Sequence, residues 1–408
     1  MSVRIDAMER AIRTATLDDY GRLSERFVTA MHGSVRADDP GRGVFEPDRA
    51  LVLEDGNMVA GTARALTRTL SVPGAVVDAA HVTGVGVAPT HRRRGIMSAL
   101  MRRQLSQVPE SLAVLWAVDS RIYGRFGYEA AAYGHELAVD VPRAGAFAAA
   151  HEGRLEEMTS CEATKMLPPI LDEYQHMRPG ISGRGTHHWT RWSADPTEGR
   201  DGRTARQFAL YRSNDGNPEG YVSWSGKAGF DRHGAAAGIV VDELVGLTES
   251  AYRMLWRYVM TMDLATSLTY RFGAVDEPVG QLMANPRALG PSVRDTLWLR
   301  ITDVADALSR RRYATDIDTV MEVVDDLLPL NTGRFRLSAD PTGVSCTRTD
   351  RLPDLSMSVA ELSGVYLAGR RLTEFAAAGR VTEHRDGALA AATTAFGWPV
   401  APKSIEVF

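Results

Sequence analysis

The chain has 408 residues, of which 44% are hydrophobic and 24% are charged. This length exceeds what one hydrophobic core usually serves, so we expect two or three domains. The formal net charge of −4 is not the basic footprint of a nucleic-acid-binding protein. The sequence contains no apolar run long enough for a membrane span. Its charged N-terminus lacks the apolar core of a secretory signal, so we expect a cytoplasmic protein.

Metal and redox chemistry find little support in the sequence. Its two cysteines, Cys161 and Cys346, lie far apart. Two thiols alone build neither a disulfide framework nor a tetrahedral zinc site, so we interpret both as structural residues. The His- and Trp-rich segment 187–192 has no spaced carboxylate or cysteine to complete a site, which favours packing. The acidic segment 316–326 lacks the central glycine of a calcium loop. We therefore predict no metal.

The hydrophobic pattern of the first 148 residues switches between strand and helix periods. A loop rich in glycine and polar residues, from His32 to Gly43, could lie over a site. The other elements that we predict are a helical segment over 10–31, four strands in meander order between 50 and 87, an amphipathic helix from Arg94 to about Val108, and strands over 112–118 and 135–139.

A second region, 149–292, follows a similar order of elements without an arginine-rich turn, and a third region occupies 293–408. In the second we predict a helical stretch over 161–177, strands over 206–212, 219–225 and 236–244, a helix over 250–262 and a strand over 265–272. In the third we predict strands over 319–325, 333–339 and 343–348, and helices over 358–366 and 371–378.

The segment from Val82 to Ser98 has the clearest chemical signature. A glycine-spaced strand ends there, a turn carries three arginines, and an amphipathic helix follows Gly95. The N–H groups of a first helical turn lack intrahelical partners and lie at the positive end of the helix dipole, which suits a pyrophosphate. Gly95 lets the backbone approach phosphate oxygens without a Cβ in the way. For the arginine string alone, a solvated basic turn is the structural alternative.

This segment resembles the helix-opening motif of the GNAT acetyltransferase superfamily, Gln/Arg-x-x-Gly-x-Gly/Ala. Arg92 and Gly95 match it, whereas Met97 stands where the motif has Gly or Ala. The string VAPTHRRRG at 87–95, with IYGRFGY at 122–128 and a terminal phenylalanine, resembles the Eis (enhanced intracellular survival) family within that superfamily. The resemblance implies an α+β fold with two GNAT-like domains, the second degenerate, followed by a domain similar to sterol carrier proteins.

The resemblance also implies an acetyl-CoA-dependent N-acetyltransferase. In GNAT enzymes the strand before the motif splays from its neighbour, and Val85 and Val87 would bind the pantetheine arm and the thioester carbonyl. Gly84 and Gly86 would relieve crowding, and a bulged strand is the alternative. The predicted cofactor-binding residues are Val85, Gly86, Val87, Arg92, Arg93, Arg94, Gly95, Ile96, Met97 and Ser98.

Acetyl transfer to an amine needs a proton for the departing thiolate and an acceptor for the proton of the amine. Tyr123 suits the first task, because a phenol of pKa about 10 can donate to a thiolate of pKa about 8.5. Packing over the sheet is the alternative for Tyr123, and we assign packing to Tyr128. For the second task, the resemblance points to the terminal carboxylate of Phe408, threaded back into the first domain, although most C-termini are frayed.

The resemblance implies cationic substrates with several amines, including aminoglycosides and lysine residues of proteins, and a homohexamer. A pocket of negative potential attracts such polycations, and the candidate lining residues are Phe27, Phe45, Glu46 and Glu406. Gly84 stands where some relatives have an aromatic residue, which predicts a roomier or differently shaped pocket. Because the third domain resembles sterol carrier proteins, the alternative function is a lipid- or small-ligand-binding protein with a vestigial acetyltransferase domain.

Overall fold

The computed structural model describes residues 11–33, 39–147, 153–232 and 234–408. Their contacts divide the chain into two compact units. The first unit contains the chain up to residue 132 together with 296–399 and 407–408, and the second contains 133–295 and 400–406. The last nine residues therefore contribute to both units. The domain boundaries predicted after residues 148 and 292 stay predictions.

The N-terminal part of the first unit is a sheet flanked by helices. Strands β1 to β4 pair antiparallel in chain order, and β5 pairs parallel with β4. The strands are β1 (Ile12–Thr14), β2 (Ala50–Asp55), β3 (Met58–Val72), β4 (Ala75–Val87), β5 (Leu112–Leu115) and β6 (Glu129–Asp140), of which β6 continues into the second unit. The helices are α1 (Tyr20–Ala30), α2 (Ile96–Gln107) and α3 (Ser120–Tyr123).

Two predictions for this region are wrong. The predicted helix over 10–31 begins only at Tyr20, because the preceding residues form β1 on the edge of the sheet. Of the four strands predicted between 50 and 87, the second was expected to end at Val59 and the third to begin at Ala60. They are one strand, β3, which pairs with β2 on one side and β4 on the other. Gly61 lies within β3 because α2 packs closely on it: a Cβ there would come within 2.6 Å of Ile96 Cγ2.

The second unit has a similar arrangement of elements. Strands β7, β8, β9 and β12 pair antiparallel in that order, and β12 pairs parallel with β13. The strands are β7 (Arg154–Met158), β8 (Gln207–Arg212), β9 (Pro218–Lys227), β10 (Phe230–Asp231), β11 (Gly234–Ala235), β12 (Ala237–Gly246) and β13 (Ala265–Ala274). The helices are α4 (Val141–Ala144), α5 (Ser160–Met166), α6 (Pro168–Gln175), α7 (Thr186–Ser193) and α8 (Glu249–Met260).

The C-terminal part of the first unit has its own five-stranded sheet, in the order β17, β16, β15, β18, β19. The strands of this part are β14 (Pro291–Ile301), β15 (Ile317–Val324), β16 (Gly333–Asp340), β17 (Gly343–Arg348), β18 (Leu355–Ser358) and β19 (Val381–Glu383), and β14 begins in the second unit. The helices are α9 (Val304–Arg310), α10 (Val359–Val365), α11 (Leu372–Ala377) and α12 (Ala388–Ala395). Helix α12 was not predicted, because its alanine-rich segment lacks distinct apolar and polar faces.

One hydrophobic cluster in the first unit includes side chains of the N-terminal sheet and of the C-terminal sheet, among them Leu70, Met321 and Phe408. A buried ion pair supports it. Arg300 Nη2 lies 2.6 Å from Asp325 Oδ2, and both side chains are at most 1% exposed. The N-terminal and C-terminal parts of this unit therefore share a core. Within the described residues, no helix combines the length and the apolar composition required to cross a membrane.

Candidate active site

The candidate site lies where β4 diverges from β5. The parallel ladder between the two strands consists of the pairs Ala80–Ala113 and His81–Val114. Beyond it, β4 continues to Val87 along β3, with a register shift opposite a left-handed Gly84 at φ 61°. The strand therefore both diverges from its neighbour and carries a bulge, which are the two arrangements weighed from the sequence. The main-chain groups of residues 85–87 lie beyond the ladder with β5.

The turn after β4 leads directly into α2. Residues 89–91 form one 3₁₀ turn, and Arg93 and Gly95 adopt left-handed conformations at φ 61° and 91°. The helix begins at Ile96 and has no acidic residue in its first turn. Its first N–H groups have no intrahelical partners, and the dipole favours an anion at this end. This junction therefore fits a pyrophosphate group.

One side chain of the turn is buried in a contact with β2, whereas the three arginines form an exposed basic surface. His91 is buried, and its Nε2 lies 2.9 Å from Asp55 Oδ2. The hydrogen bond from His91 lowers the pKa of Asp55. The side chains of residues 92–94 are exposed, so their charges are accessible to a ligand. Met97, at the position where the motif has a small residue, contacts Arg125 Nη2 through its sulfur at 3.6 Å.

Tyr123 is the last residue of α3, a helix of one turn that Asp119 caps. The glycine-rich segment that follows it forms a 3₁₀ turn, Gly124–Phe126. Tyr123 is 5% exposed, and burial raises its pKa to about 12. Its phenol therefore stays protonated well above neutral pH.

Tyr128 differs from Tyr123 in accessibility. Its side chain is fully buried, with its ring centroid 6.0 Å from that of Tyr123 in an edge-to-face arrangement. Within the described part of the chain its hydroxyl has no hydrogen-bond partner. The packing role expected for Tyr128 agrees with this position.

Phe408 lies against β4 at the point of divergence. Its main-chain oxygen accepts a hydrogen bond of 3.0 Å from Thr83 Oγ1. The ring is 8% exposed, lies 4.6 Å from the ring of His81 and is covered by the guanidinium of Arg68 at 5.8 Å. The terminal residue is therefore held next to Gly84 and the residues predicted to bind the thioester.

The candidate acceptor-binding residues each have contacts of their own, and their role in acceptor binding stays a prediction. Phe27 lies near β4, since a Cβ on Gly86 would be 3.3 Å from Phe27 Cα. Phe45 is buried in a core cluster, with its ring centroid 5.1 Å from that of Tyr20. Glu46 accepts hydrogen bonds from the main chain and hydroxyl of Thr67 at 2.7 and 2.5 Å. Phe45 thus has a packing contact and Glu46 a contact with the sheet.

The remaining candidate, Glu406, and the position predicted to shape the pocket, Gly84, also have specific neighbours. Glu406 belongs to the second unit, where its Oε2 lies 3.2 Å from Arg184 Nε. The space beside Gly84 is occupied: a Cβ there would lie 2.2 Å from Arg64 Nε. The pocket predicted to be roomier at Gly84 is therefore differently shaped, because an arginine from β3 fills the position.

The cysteine and metal predictions have mixed outcomes. Cys346 is buried, as expected of a structural residue, whereas Cys161 is exposed at the start of α5, so its packing role is wrong. Trp189 is buried, and its ring packs at 5.2 Å from Trp192. In the described ranges, no group of three or more His, Cys, Asp or Glu side chains is arranged to hold a metal ion.

Comparisons with known proteins match this architecture. An acetyltransferase (GNAT) domain family matches residues 11–131, and a second one matches 180–301. A sterol carrier protein domain family matches 304–403. The chain is 32% identical to the N-acetyltransferase Eis of Mycobacterium tuberculosis over 83% of its own length and 84% of that protein. The chain belongs to the Eis family of GNAT N-acetyltransferases.

Other relatives agree with this assignment. An uncharacterised N-acetyltransferase of Streptomyces coelicolor is 38% identical over 88% of this chain and 87% of its own length. The crystal structure of Eis1 from Mycobacterium abscessus superposes with a TM-score of 0.85 at 30% identity, covering 97% of this chain and all of the other. The predicted fold, two GNAT-type domains followed by a sterol-carrier-like domain, is confirmed. The protein is an acyltransferase, and enzymes of the GNAT class use acetyl-CoA.

Several residues at the site escaped the sequence predictions. Thr83 and His81 contact Phe408 from β4, and Arg64 and Arg68 approach from β3. One signal was available: two arginines four residues apart in a strand lie on one face. The register that places them opposite Thr83 and Ala79 continues without a shift from the β3–β4 turn, and the pattern of one strand alone does not specify it.

The left-handed Gly95 provides a test of the phosphate site. We expect Gly95→Ala to weaken coenzyme A binding about tenfold, because a Cβ strains the backbone and stands between it and the phosphate oxygens. Isothermal titration calorimetry with coenzyme A measures this. The control is Gly56→Ala, at a left-handed position in the β2–β3 turn with no atom near its Cβ. Equal affinity of the two variants would contradict the predicted role of Gly95.

Proposed function

We propose that this Eis-family enzyme transfers the acetyl group of acetyl-CoA to a primary amine by direct attack through a tetrahedral intermediate, with Tyr123 as general acid and the carboxylate of Phe408 as general base. The observation that carries the proposal is the hydrogen bond from Thr83 Oγ1 to the main-chain oxygen of Phe408. It supports a terminal carboxyl group beside the residues expected to present the thioester.

The cosubstrate would bind at the β4–α2 junction. The N–H groups at the start of α2 and the exposed arginines at 92–94 would hold the pyrophosphate. The main chain at Val85 and Val87, beyond the β5 ladder, would hydrogen-bond the pantetheine arm and the thioester oxygen. A donor aimed at that oxygen stabilises the oxyanion of the intermediate, and removing one such donor elsewhere costs about 3–4 kcal/mol.

The protons that move during the reaction define the roles proposed for the Phe408 carboxylate and the Tyr123 phenol. The amine nitrogen forms a bond to the thioester carbon while its proton passes, directly or through water, to the Phe408 carboxylate. When the carbon–sulfur bond breaks, the sulfur leaves as a thiolate and takes a proton from the Tyr123 phenol. Because burial raises the pKa of Tyr123 to about 12, this donor is fully protonated at neutral pH. A proton transferred from the base to the phenol through solvent restores both groups.

We propose acceptors with several amines, such as aminoglycosides or lysine residues of proteins. A substrate of this kind exposes more than one nucleophile to a single site. The name of the M. tuberculosis relative supports only the N-acetyltransferase activity. The cytoplasmic location, expected from the N-terminal sequence, stays a prediction. The hexamer, expected from the family resemblance, also stays a prediction.

Thiol release from acetyl-CoA tests the activity itself. We expect coenzyme A to appear in proportion to the concentration of at least one amine in a panel of aminoglycosides, polyamines and lysine peptides. A thiol-reactive dye measures the free sulfur. The sterol carrier protein match makes lipid binding the competing function. Tight lipid binding with no thiol release from any amine would favour that alternative.

Tyr123 and Tyr128 form a matched pair for the acid. Tyr123→Phe should lower kcat about 10²–10⁴-fold, because it removes the proton donor. Tyr128→Phe should leave kcat nearly unchanged and should not lower thermal stability, since it deletes a buried hydroxyl that has no hydrogen-bond partner among the described residues. Steady-state thiol release and thermal unfolding of both variants measure this. Equal losses of kcat would remove Tyr123 from the mechanism.

A single glycine added after Phe408 tests the base. The extension converts the terminal carboxylate into a peptide carbonyl and moves the charge away from Thr83. We expect a large loss of kcat, about 10²-fold or more, with little change in the KM for acetyl-CoA. The control is Val407→Ala, which alters a half-exposed side chain and keeps the terminus. Full turnover by the extended chain would exclude the carboxylate as base.

A further inference from the structure

The second domain repeats the strand divergence of the first. Its parallel ladder ends at the pair Val241–Tyr270, and β12 then continues to Gly246 along β9. The helix that follows, α8, carries Glu249 in its first turn. A carboxylate at that position offsets the positive end of the helix dipole and repels a phosphate group. The second domain thus keeps the divergent strands without the phosphate-binding turn.

The C-terminal tail, residues 400–406, belongs to this second unit and is bound to it through its main chain. Ala401 N donates to Asp276 Oδ2 at 2.9 Å, and its oxygen accepts from Arg178 Nη1 at 2.7 Å. Lys403 N donates to the oxygen of Pro179 at 2.9 Å. Gly180 is left-handed, and a Cβ there would lie 2.8 Å from the oxygen of Lys403. The tail is therefore closely fitted along its length.

Lys403 anchors the middle of the tail. Its side chain is 4% exposed, with Nζ 3.5 Å from Glu277 Oε2 and 5.3 Å from the ring centroid of Tyr270 on β13. Glu277 is itself fixed, because Oε1 accepts from Tyr252 Oη at 2.5 Å and Oε2 from Ala274 N at 3.0 Å. A buried ammonium is costly unless it is paired, so this contact specifies where Lys403 lies.

Glu406 forms a second anchor two residues before the terminus. Its Oε2 lies 3.2 Å from Arg184 Nε, while the two Nη atoms of Arg184 donate to Glu243 of β12 at 2.9 and 2.6 Å. Arg184 is fully buried, and its guanidinium lies about 5 Å from the rings of Trp189 and Trp192. Ile405, between the anchors, is buried in the core of this unit. The tail thus contacts β13 directly through Lys403 and is linked to β12 through Arg184.

We propose that the second GNAT-type domain is a mount for the C-terminal tail, in which Lys403 and Glu406 are positioning residues that fix the carboxylate of Phe408. Lys403 contacts Tyr270 of β13, and Glu406 is linked through Arg184 to Glu243 of β12. The two residues after Glu406 leave the terminus little freedom, because each residue spans at most about 3.6 Å. This inference rests on the proposed role of Phe408 as base.

The test uses two readouts on the full-length enzyme. Carboxypeptidase releases a terminal phenylalanine only from a tail that detaches, so free phenylalanine reports anchoring without any reference to catalysis. Thiol release gives kcat and the KM for acetyl-CoA. The variants are Lys403→Met and Glu406→Ala, singly and together. The control is Glu156→Ala, which breaks a more exposed pair with Arg212 at 2.8 Å on β7 and β8 of the same unit. Thermal unfolding of each variant identifies general loss of structure.

Each anchor variant should release phenylalanine about tenfold faster and lose kcat by a similar factor, which corresponds to about 1.4 kcal/mol of lost anchoring. The KM for acetyl-CoA should change less than twofold, and the control should match the parent. Unchanged release in the double variant would overturn the mount, whatever happens to kcat. Faster release with full kcat would uphold the mount and would instead remove Phe408 from the proposed mechanism, so the two failures are distinguishable.

Discussion

The ladder between β4 and β5 ends after His81, and the active site depends on that ending. Main-chain donors and acceptors buried in a sheet are normally paired, so a strand that leaves its neighbour creates a demand for other partners. In this protein the left-handed Gly84 and the register shift in β3 set the place of divergence. The basic turn and the start of α2 lie directly downstream, which puts charge recognition next to the open main chain.

In the second domain β12 leaves β13 in the same way, but different groups lie near the diverging strands. There the charged turn is missing, Glu249 opposes anion binding, and the tail supplies Lys403 and Glu406 to buried partners. Burying ion pairs stabilises little by itself, because desolvation offsets much of the attraction. Their value lies in specifying one geometry. The role that we propose for the second domain is therefore to hold residues 400–406, which belong to its unit.

The β4–α2 junction could be predicted from sequence because its signals are local. The glycine-spaced strand, the three arginines and the amphipathic helix are adjacent in the chain, and their order alone predicts the turn. The contacts of Phe45 and Glu46 could not be predicted from sequence, because they are made with residues far away in sequence, Tyr20 and Thr67. Arg64 was missed for the same reason. Its place beside Gly84 depends on how β3 pairs with β4 next to the bulge, and neither segment by itself specifies the register of that pairing. The place of Phe45 and Glu46 in an acceptor pocket stays a prediction.

Coenzyme A binding to the full-length protein tests the central claim most directly. Only the first domain combines the divergent strand, the basic turn and a helix start free of acidic residues. Isothermal titration calorimetry should therefore show a stoichiometry of one coenzyme A per chain. No detectable heat would contradict the assignment of the β4–α2 junction, and two sites per chain would contradict the inference that the second domain, with Glu249 at the start of α8, does not bind the cosubstrate.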